Sequence, residues 1–253
     1  MKKFILMSLL VLLPAIVRGQ ARMYTKKARL EDFSVRTTKV VADGESLLAI
    51  TLREEIIRRW RISPYEFCTS TEYNSLKSDN SMFFLSFTVK EGIVFLSLSR
   101  GGMEGDEILK RPFEIVSVPV ASSGAPSGQE LSFMGAFIDI IQNFTEDAMQ
   151  SDRVGYAGLA SYGSSGSMKG RDILLESGAA DKAMISGTAG TAAGIVIAPE
   201  SPGKGMHCYR MLIGSDNHEL YYFTRDRFTR EDGRAFTAAE KRTFISRNGN
   251  IVR

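Results

Sequence analysis

Only four residues of this chain are of the types that most often carry nucleophilic or metal chemistry: Cys68, Cys208, His207 and His218. A cysteine becomes a nucleophile when a neighbouring base, often a histidine, activates its thiol. Neither cysteine lies in a motif with such a mechanism, and His218 falls in a predicted turn, where a polar residue is ordinary. We therefore predict no catalytic residue. A thiol-dependent enzyme that uses Cys68 or Cys208 is the alternative.

Four residues between 207 and 218 are of metal-binding types, but their arrangement does not favour a metal site. His207, Cys208, Asp216 and His218 are all residues that ligate metals. Successive side chains of a strand point to opposite faces, so the adjacent pair is poorly placed to share one tetrahedral ion. The sequence predicts neither a metal nor a cofactor.

Residues 1–19 have the pattern of an export signal. Lys2 and Lys3 precede an apolar run at residues 4–17, and small residues suit cleavage after Gly19. The run is shorter than the roughly 20 residues that a membrane-spanning helix needs. We predict a signal peptide at 1–19 and a periplasmic or secreted mature protein.

Removal of the signal peptide changes the net charge of the chain. The chain has 32 basic and 29 acidic residues, and residues 1–19 hold three of the basic ones and no acidic one, so the remainder carries 29 of each. Nucleic-acid-binding domains carry a basic surface, and a neutral mature chain gives no support to that function.

Export also bears on the cysteines. An oxidising compartment favours a disulfide, and a bridge between Cys68 and Cys208 would join two distant parts of the chain. Two separate buried thiols are the alternative, because a disulfide requires a short Cα separation that the sequence does not define. Both alternatives stay open at this stage.

Two amphipathic helices are the clearest elements, at residues 46–60 and 129–149. Apolar side chains recur every fourth residue in the first helix, at Leu48, Leu52, Ile56 and Trp60. The second helix carries a phenylalanine face, which is typical of core packing. Its acidic residues, Asp139, Glu146 and Asp147, are expected to point away from that face. Two capping-box patterns, Ser127 with Glu130 and Thr237 with Glu240, indicate helix starts.

Between the helices the chain alternates β-rich stretches with turns. The predicted strands are 33–41, 65–68, 82–89, 93–99, 113–120, 195–198, 208–213 and 219–224. The fold class is therefore α+β, with a mixed or mostly antiparallel sheet and the two main amphipathic helices packed on it. We predict a single domain over 20–253, with a sub-boundary at the 122–128 connector, and find no clean internal repeat.

Gly, Ser and Ala dominate residues 155–194, and we expect a flexible or tightly turned surface segment there. Such a segment in a compact domain is often functional, so we name Gly187, Gly190 and Gly194 as candidate binding residues. The uncharged run 183–198 suggests an alternative, a membrane-contacting protein, but it is short for a span.

The second candidate surface is an aromatic corner formed by Trp60, Tyr65 and Phe67. Aromatic corners usually belong to the core, but an exposed one is a recognition surface. The exposure of Trp60 decides between these two meanings.

Three stretches, 52–60, 62–68 and 82–85, resemble a group of uncharacterised exported proteins of Bacteroidota. The resemblance covers mainly residues 34–121, and it implies an envelope location and no activity. The order of elements is also similar to that of envelope assembly factors related to the curli secretion lipoprotein and the TolB N-terminal domain. This chain lacks the lipid-anchor cysteine common in such lipoproteins, and fold does not give function.

The leading hypothesis is therefore an exported, non-catalytic binding or envelope assembly-accessory protein. We expect an envelope protein partner, no nucleic acid and no favoured membrane contact.

Overall fold

The computed structural model describes residues 25–102, 111–162, 168–229, 233–247 and 249–252, without the side chains of 161 and 162. The predicted signal peptide at 1–19 lies outside these ranges. Two mixed five-stranded sheets and the helices around them confirm the α+β class. The strands thus form two sheets, where the sequence suggested one.

Sheet A contains the first five strands: β1 (Thr38–Val41), β2 (Tyr65–Cys68), β3 (Phe83–Lys90), β4 (Ile93–Arg100) and β5 (Phe113–Ser122). Their spatial order is β2-β1-β3-β4-β5. Strand β1 pairs in parallel with β2 and β3, and β3, β4 and β5 form an antiparallel meander.

Sheet B contains the last five: β6 (Asp172–Leu174), β7 (Thr191–Ile197), β8 (His207–Gly214), β9 (Leu220–Arg227) and β10 (Asn250–Val252). Their order is β10-β6-β7-β8-β9. Strand β6 lies parallel to both β10 and β7, and β7, β8 and β9 are antiparallel. The two sheets therefore share one pattern of strand directions, which the sequence does not show as a repeat.

The described helices are α1 (Lys26–Arg29), α2 (Leu47–Arg59), α3 (Ser70–Leu76), α4 (Gln129–Gln150), α5 (Asp152–Tyr162), α6 (Ser177–Ser186) and α7 (Ala238–Ser246), with a 3-10 turn at Phe33–Val35. Helix α2 begins where the Ser46 side chain accepts a hydrogen bond from the Ala49 amide, and its buried stripe includes Leu52 and Ile56. It matches the predicted helix at 46–60. None of the helices in these ranges has the length and apolar character needed to cross a membrane.

Helix α4 joins the two sheets. It packs against α2, on β5 of sheet A, and on α6, which covers β7 of sheet B. Phe133, Phe137 and Phe144 on its predicted apolar face are fully buried. The rings of Phe95 on β4 and Tyr209 on β8 also meet edge to face, with centroids 5.4 Å apart. One cluster of buried side chains accordingly runs through both sheets.

The Gly/Ser/Ala-rich stretch at 155–194 differs from the expected surface segment. Its described part includes most of α5, all of β6 and α6, and the first half of β7, the central strand of sheet B. Ala180, Ala183 and Ala192 are buried there. Small side chains let α6 lie close to the sheet, so this composition reflects tight packing.

Candidate functional site

A cleft of about 370 Å³ opens where the two halves of the chain meet. Its lining comes from the end of β5 and the connector at 122–128, the start of α4, the start of α6, the middle of β7, and residues 234–241. The volume lies at the lower end of the range for small-molecule sites, about 300–1,000 Å³. Ligand sites of this kind combine apolar walls with a few placed polar groups.

The start of α4 contributes a buried carboxylate. Glu130 lies in the first turn of α4, is 4 % exposed, and lines the cleft. Its Oε2 atom accepts a hydrogen bond from Ser127 Oγ at 2.8 Å. The helix dipole favours a negative charge at this position. Within the described ranges, no basic side chain forms an ion pair with Glu130.

The capping-box prediction for Ser127 and Glu130 is therefore only partly correct. The N-cap of α4 is Gly128, which has a left-handed backbone with φ 86° and supplies no side-chain cap. Thr237 and Glu240, by contrast, form the predicted capping box at the start of α7.

Two basic residues line the cleft from the segment that follows β9. Arg234 Nη2 donates hydrogen bonds to the carbonyl oxygens of Pro199 and Glu200, both at 2.8 Å. Lys241 is exposed in the first turn of α7 and makes no ion pair to the described part of the chain. Glu176, at the start of α6, is an exposed acidic residue in the same lining.

Gly194 is the predicted glycine that belongs to the cleft. It lies in β7, and a Cβ atom there would come within 2.7 Å of Phe236 Cε2 and 3.0 Å of Leu175 Cδ2. Gln129 Nε2, at the start of α4, donates to the Gly194 carbonyl at 3.4 Å. The absence of a side chain at Gly194 thus lets the Phe236 ring pack on β7 and form an apolar wall.

The other two predicted glycines serve turns. Gly187 ends α6 in a left-handed conformation with φ 60°. Gly190 precedes β7 with φ 69°, and its amide donates to Asp216 Oδ2 at 3.2 Å. The positive φ at each position explains why the residue is a glycine. Neither of these two glycines lines the cleft.

The three residues of the predicted aromatic corner differ in their burial. Trp60 is 6 % exposed, its Nε1 donates to Ser63 Oγ at 3.1 Å, and its ring meets Phe33 edge to face. Tyr65 and Phe67 lie on β2, at an edge of sheet A, with ring centroids 5.7 Å apart. Trp60 is therefore a core residue, and Phe67 is the exposed member of the three.

The two cysteines lie in different sheets, Cys68 on β2 and Cys208 on β8, and both are buried thiols. Burial, and then the nearby Glu72 carboxylate, raise the pKa of the Cys68 thiol. A raised pKa lowers the thiolate population that nucleophilic attack requires. Each histidine instead contacts a carboxylate: His207 contacts Glu91, and His218 contacts Asp139.

A second polar cluster, which the sequence did not predict, surrounds Asp139. Its carboxylate accepts hydrogen bonds from Arg59 Nη1 at 3.1 Å and from Gln142 Nε2 at 3.0 Å, and lies 2.6 Å from His218 Nδ1. Asp139 was expected to face away from the core, but it is only 8 % exposed. These bonds satisfy the carboxylate within the protein, so the cluster has the character of a structural network.

Across the described ranges, no three His, Cys, Asp or Glu side chains come together as a metal-binding group would require. No protein-family model, curated protein or solved structure matches this chain. The class that the fold and the cleft define is an α+β protein of two mixed sheets with a partly polar cleft at their junction.

Proposed function

We propose that this chain is an exported, non-catalytic binding protein whose ligand occupies the cleft between the two sheets. The observation that carries the proposal is the composition of the cleft. A buried carboxylate, Glu130, and two exposed basic residues, Arg234 and Lys241, line the same space as the apolar ring of Phe236. Apolar walls supply affinity and a few polar groups fix orientation.

Two further observations support binding over thiol catalysis. Burial raises the pKa of the Cys68 thiol, which disfavours a reactive thiolate. Neither cysteine lines the cleft. A pocket that joined a thiol to an imidazole would have supported the enzyme alternative.

The export part of the proposal is supported by the charged start, the apolar run and the small residues before Gln20. Intact-mass measurement on protein released by osmotic shock tests it. We expect a mass that begins at Gln20, and a full-length protein in the cytoplasm would contradict export. Cross-linking in intact cells tests the separate prediction of an envelope partner.

Blocking the cleft tests the binding part. Val196 lies on β7 and lines the cleft, so Val196→Trp would fill the space without changing charge. Val89→Trp on β3 is the matched control, because Val89 is 65 % exposed and is not part of the cleft lining. A second blocking variant, Ala125→Trp in the connector, avoids a strand position in case Val196→Trp fails to fold.

The measurement is native mass spectrometry of protein purified gently from envelope extracts. We expect a small-molecule adduct on the wild type and on Val89→Trp that is lost from Val196→Trp and Ala125→Trp. Equal adducts on folded forms of all four proteins, or no adduct on any, would contradict a ligand in the cleft.

A further inference from the structure

We infer that the ligand of the cleft carries both an ammonium and a carboxylate group, as amino acids and short peptides do. This inference rests on the proposed function, and it names the chemical class of the ligand. Its starting point is the presence of side chains of both charges in one space of about 370 Å³.

We assign Glu130 as the residue that binds the ammonium group of the ligand. Its carboxylate is almost fully buried, and the hydrogen bond from Ser127 Oγ comes from a neutral donor. Burying a charged group is costly unless an opposite charge or several hydrogen bonds compensate. The start of α4 supplies part of that compensation. A ligand ammonium in the cleft would supply the cationic partner that the described side chains do not.

We assign Lys241 as the residue that binds the carboxylate group of the ligand. A positive charge in the first turn of a helix is unfavourable, because the amide groups there already carry partial positive charge. Lys39 and Lys90, by comparison, form ion pairs with Glu66 and Glu114. Lys241 makes no such pair among the described residues. A ligand carboxylate beside Lys241 would be stabilised both by the ammonium group of this lysine and by the amide groups at the start of α7.

Arg234 is placed to assist Lys241. Two backbone carbonyl groups hold its Nη2 atom. Its Nε and Nη1 atoms make no hydrogen bond to the described residues, and Arg234 is part of the cleft lining. The lining also includes the apolar side chains of Leu175, Val196 and Phe236. The ligand part between ammonium and carboxylate is therefore expected to include an apolar side chain.

The test uses the mature chain and three matched probes in isothermal titration calorimetry: L-alanyl-L-leucine, its N-acetyl form and its C-terminal amide. We expect each blocked probe to bind about tenfold more weakly, or worse, than the free dipeptide. Glu130→Gln should remove the preference over the N-acetyl probe, and Lys241→Gln should remove the preference over the amide. Glutamine keeps the shape of Glu130 and its ability to accept from Ser127.

Control variants make the assignment specific. Glu146→Gln, at an exposed position of α4, and Lys182→Gln, at an exposed position of α6, lie outside the cleft and should change neither preference. If Glu176→Gln and not Glu130→Gln removed the preference over the N-acetyl probe, the assignment of Glu130 would be overturned.

The two proposals fail in different ways. If the adduct in the blocking experiment is lost from the cleft variants, but the three probes bind equally or do not bind, the ligand class is wrong and the binding function stands. If there is no cleft-dependent adduct and no probe binds, both are wrong.

Discussion

His218 Nδ1 lies 2.6 Å from Asp139 Oδ2, although 79 residues separate them in sequence. The contact joins the β8–β9 turn of sheet B to the middle of α4. His218 has φ 55°, and Glu91, with φ 51°, is the other described non-glycine residue with a positive φ. Glu91 sits in the β3–β4 turn and contacts His207 of sheet B at 2.9 Å. Two turns in an unfavourable backbone conformation therefore each make a polar contact between the halves of the molecule.

Replacing Asp139 should destabilise the protein. In Asp139→Asn, Arg59 and His218 lose their shared carboxylate, but Arg59 is partly exposed and keeps its ion pair with Glu55, so we expect a loss of about 1–3 kcal/mol of unfolding free energy. Urea unfolding followed through the emission of Trp60, the only tryptophan and a buried one, measures the loss. Asp147→Asn, at an exposed position of the same helix, is the control and should change stability little. Equal stability of the two variants would show that the Asp139 network contributes nothing.

A methyl group at Gly194 should also destabilise the fold. In Gly194→Ala the new Cβ would lie 2.7 Å from Phe236 Cε2, so the ring must move, and overpacking typically costs about 1–3 kcal/mol. Gly178→Ala is the matched control, because no atom lies within 4 Å of a Cβ at this position in α6. Alanine in a helix should leave stability unchanged or raise it. Thermal unfolding compares the two variants, and a tolerated Gly194→Ala would contradict the packing role of this glycine.

The half-buried tyrosine Tyr222 predicts a loss of stability at high pH. Burial, and then the neighbouring Glu240 carboxylate, raise the pKa of Tyr222 to about 12. Because the folded state holds this proton more tightly than the unfolded state, the contribution is complete below pH 10 and is lost as the pH rises through about 12.

Urea unfolding at pH 8, 10 and 11.5 is the measurement for this group. We expect Tyr222→Phe to lose less stability than the wild type between the two higher pH values. Tyr156→Phe, at a position that is 69 % exposed, should follow the wild type. Parallel pH profiles for all three proteins would show that Tyr222 does not contribute.

The cysteines should react slowly in the native protein. Both are buried, and burial raises the pKa of the Cys68 thiol, so few thiolates are available near neutral pH. A chromogenic disulfide reagent should label two thiols per chain after unfolding in urea without reductant. Cys68→Ala should reduce that number to one. Protein from the periplasm that shows no thiols until a reductant is added would instead establish the Cys68–Cys208 disulfide.

Much of the local structure follows from short-range patterns. The predicted helix at 129–149 is observed at Gln129–Gln150, and the strand predicted at 65–68 is observed at Tyr65–Cys68. The Thr237–Glu240 capping box is formed as predicted. These features depend on apolar periodicity and on hydrogen bonds that reach only a few residues along the chain, so the sequence alone was sufficient for them.

Residue composition gave the wrong expectation of burial at positions where tertiary packing determines it. The small residues of 155–194 suggested a turned surface segment, yet Ala192 and Gly194 lie buried in a central strand. Asp139 was expected to face away from the core because it is acidic. A small or acidic residue can be buried when a particular neighbour fits it, such as Phe236 at Gly194 or Arg59 at Asp139. No local pattern identifies such a neighbour.

By itself the sequence determined the amphipathic helices, most strands and the α+β class, because each depends on residues close together in the chain. Only the tertiary structure decided the division into two sheets. Strand β10 lies parallel to β6, 78 residues earlier at Asp172 and Asn250, and parallel partners need long connections whose ends the sequence does not pair. The cleft depends on the same long-range choice, since Glu130, Gly194 and Lys241 share one space only after both sheets have packed on α4.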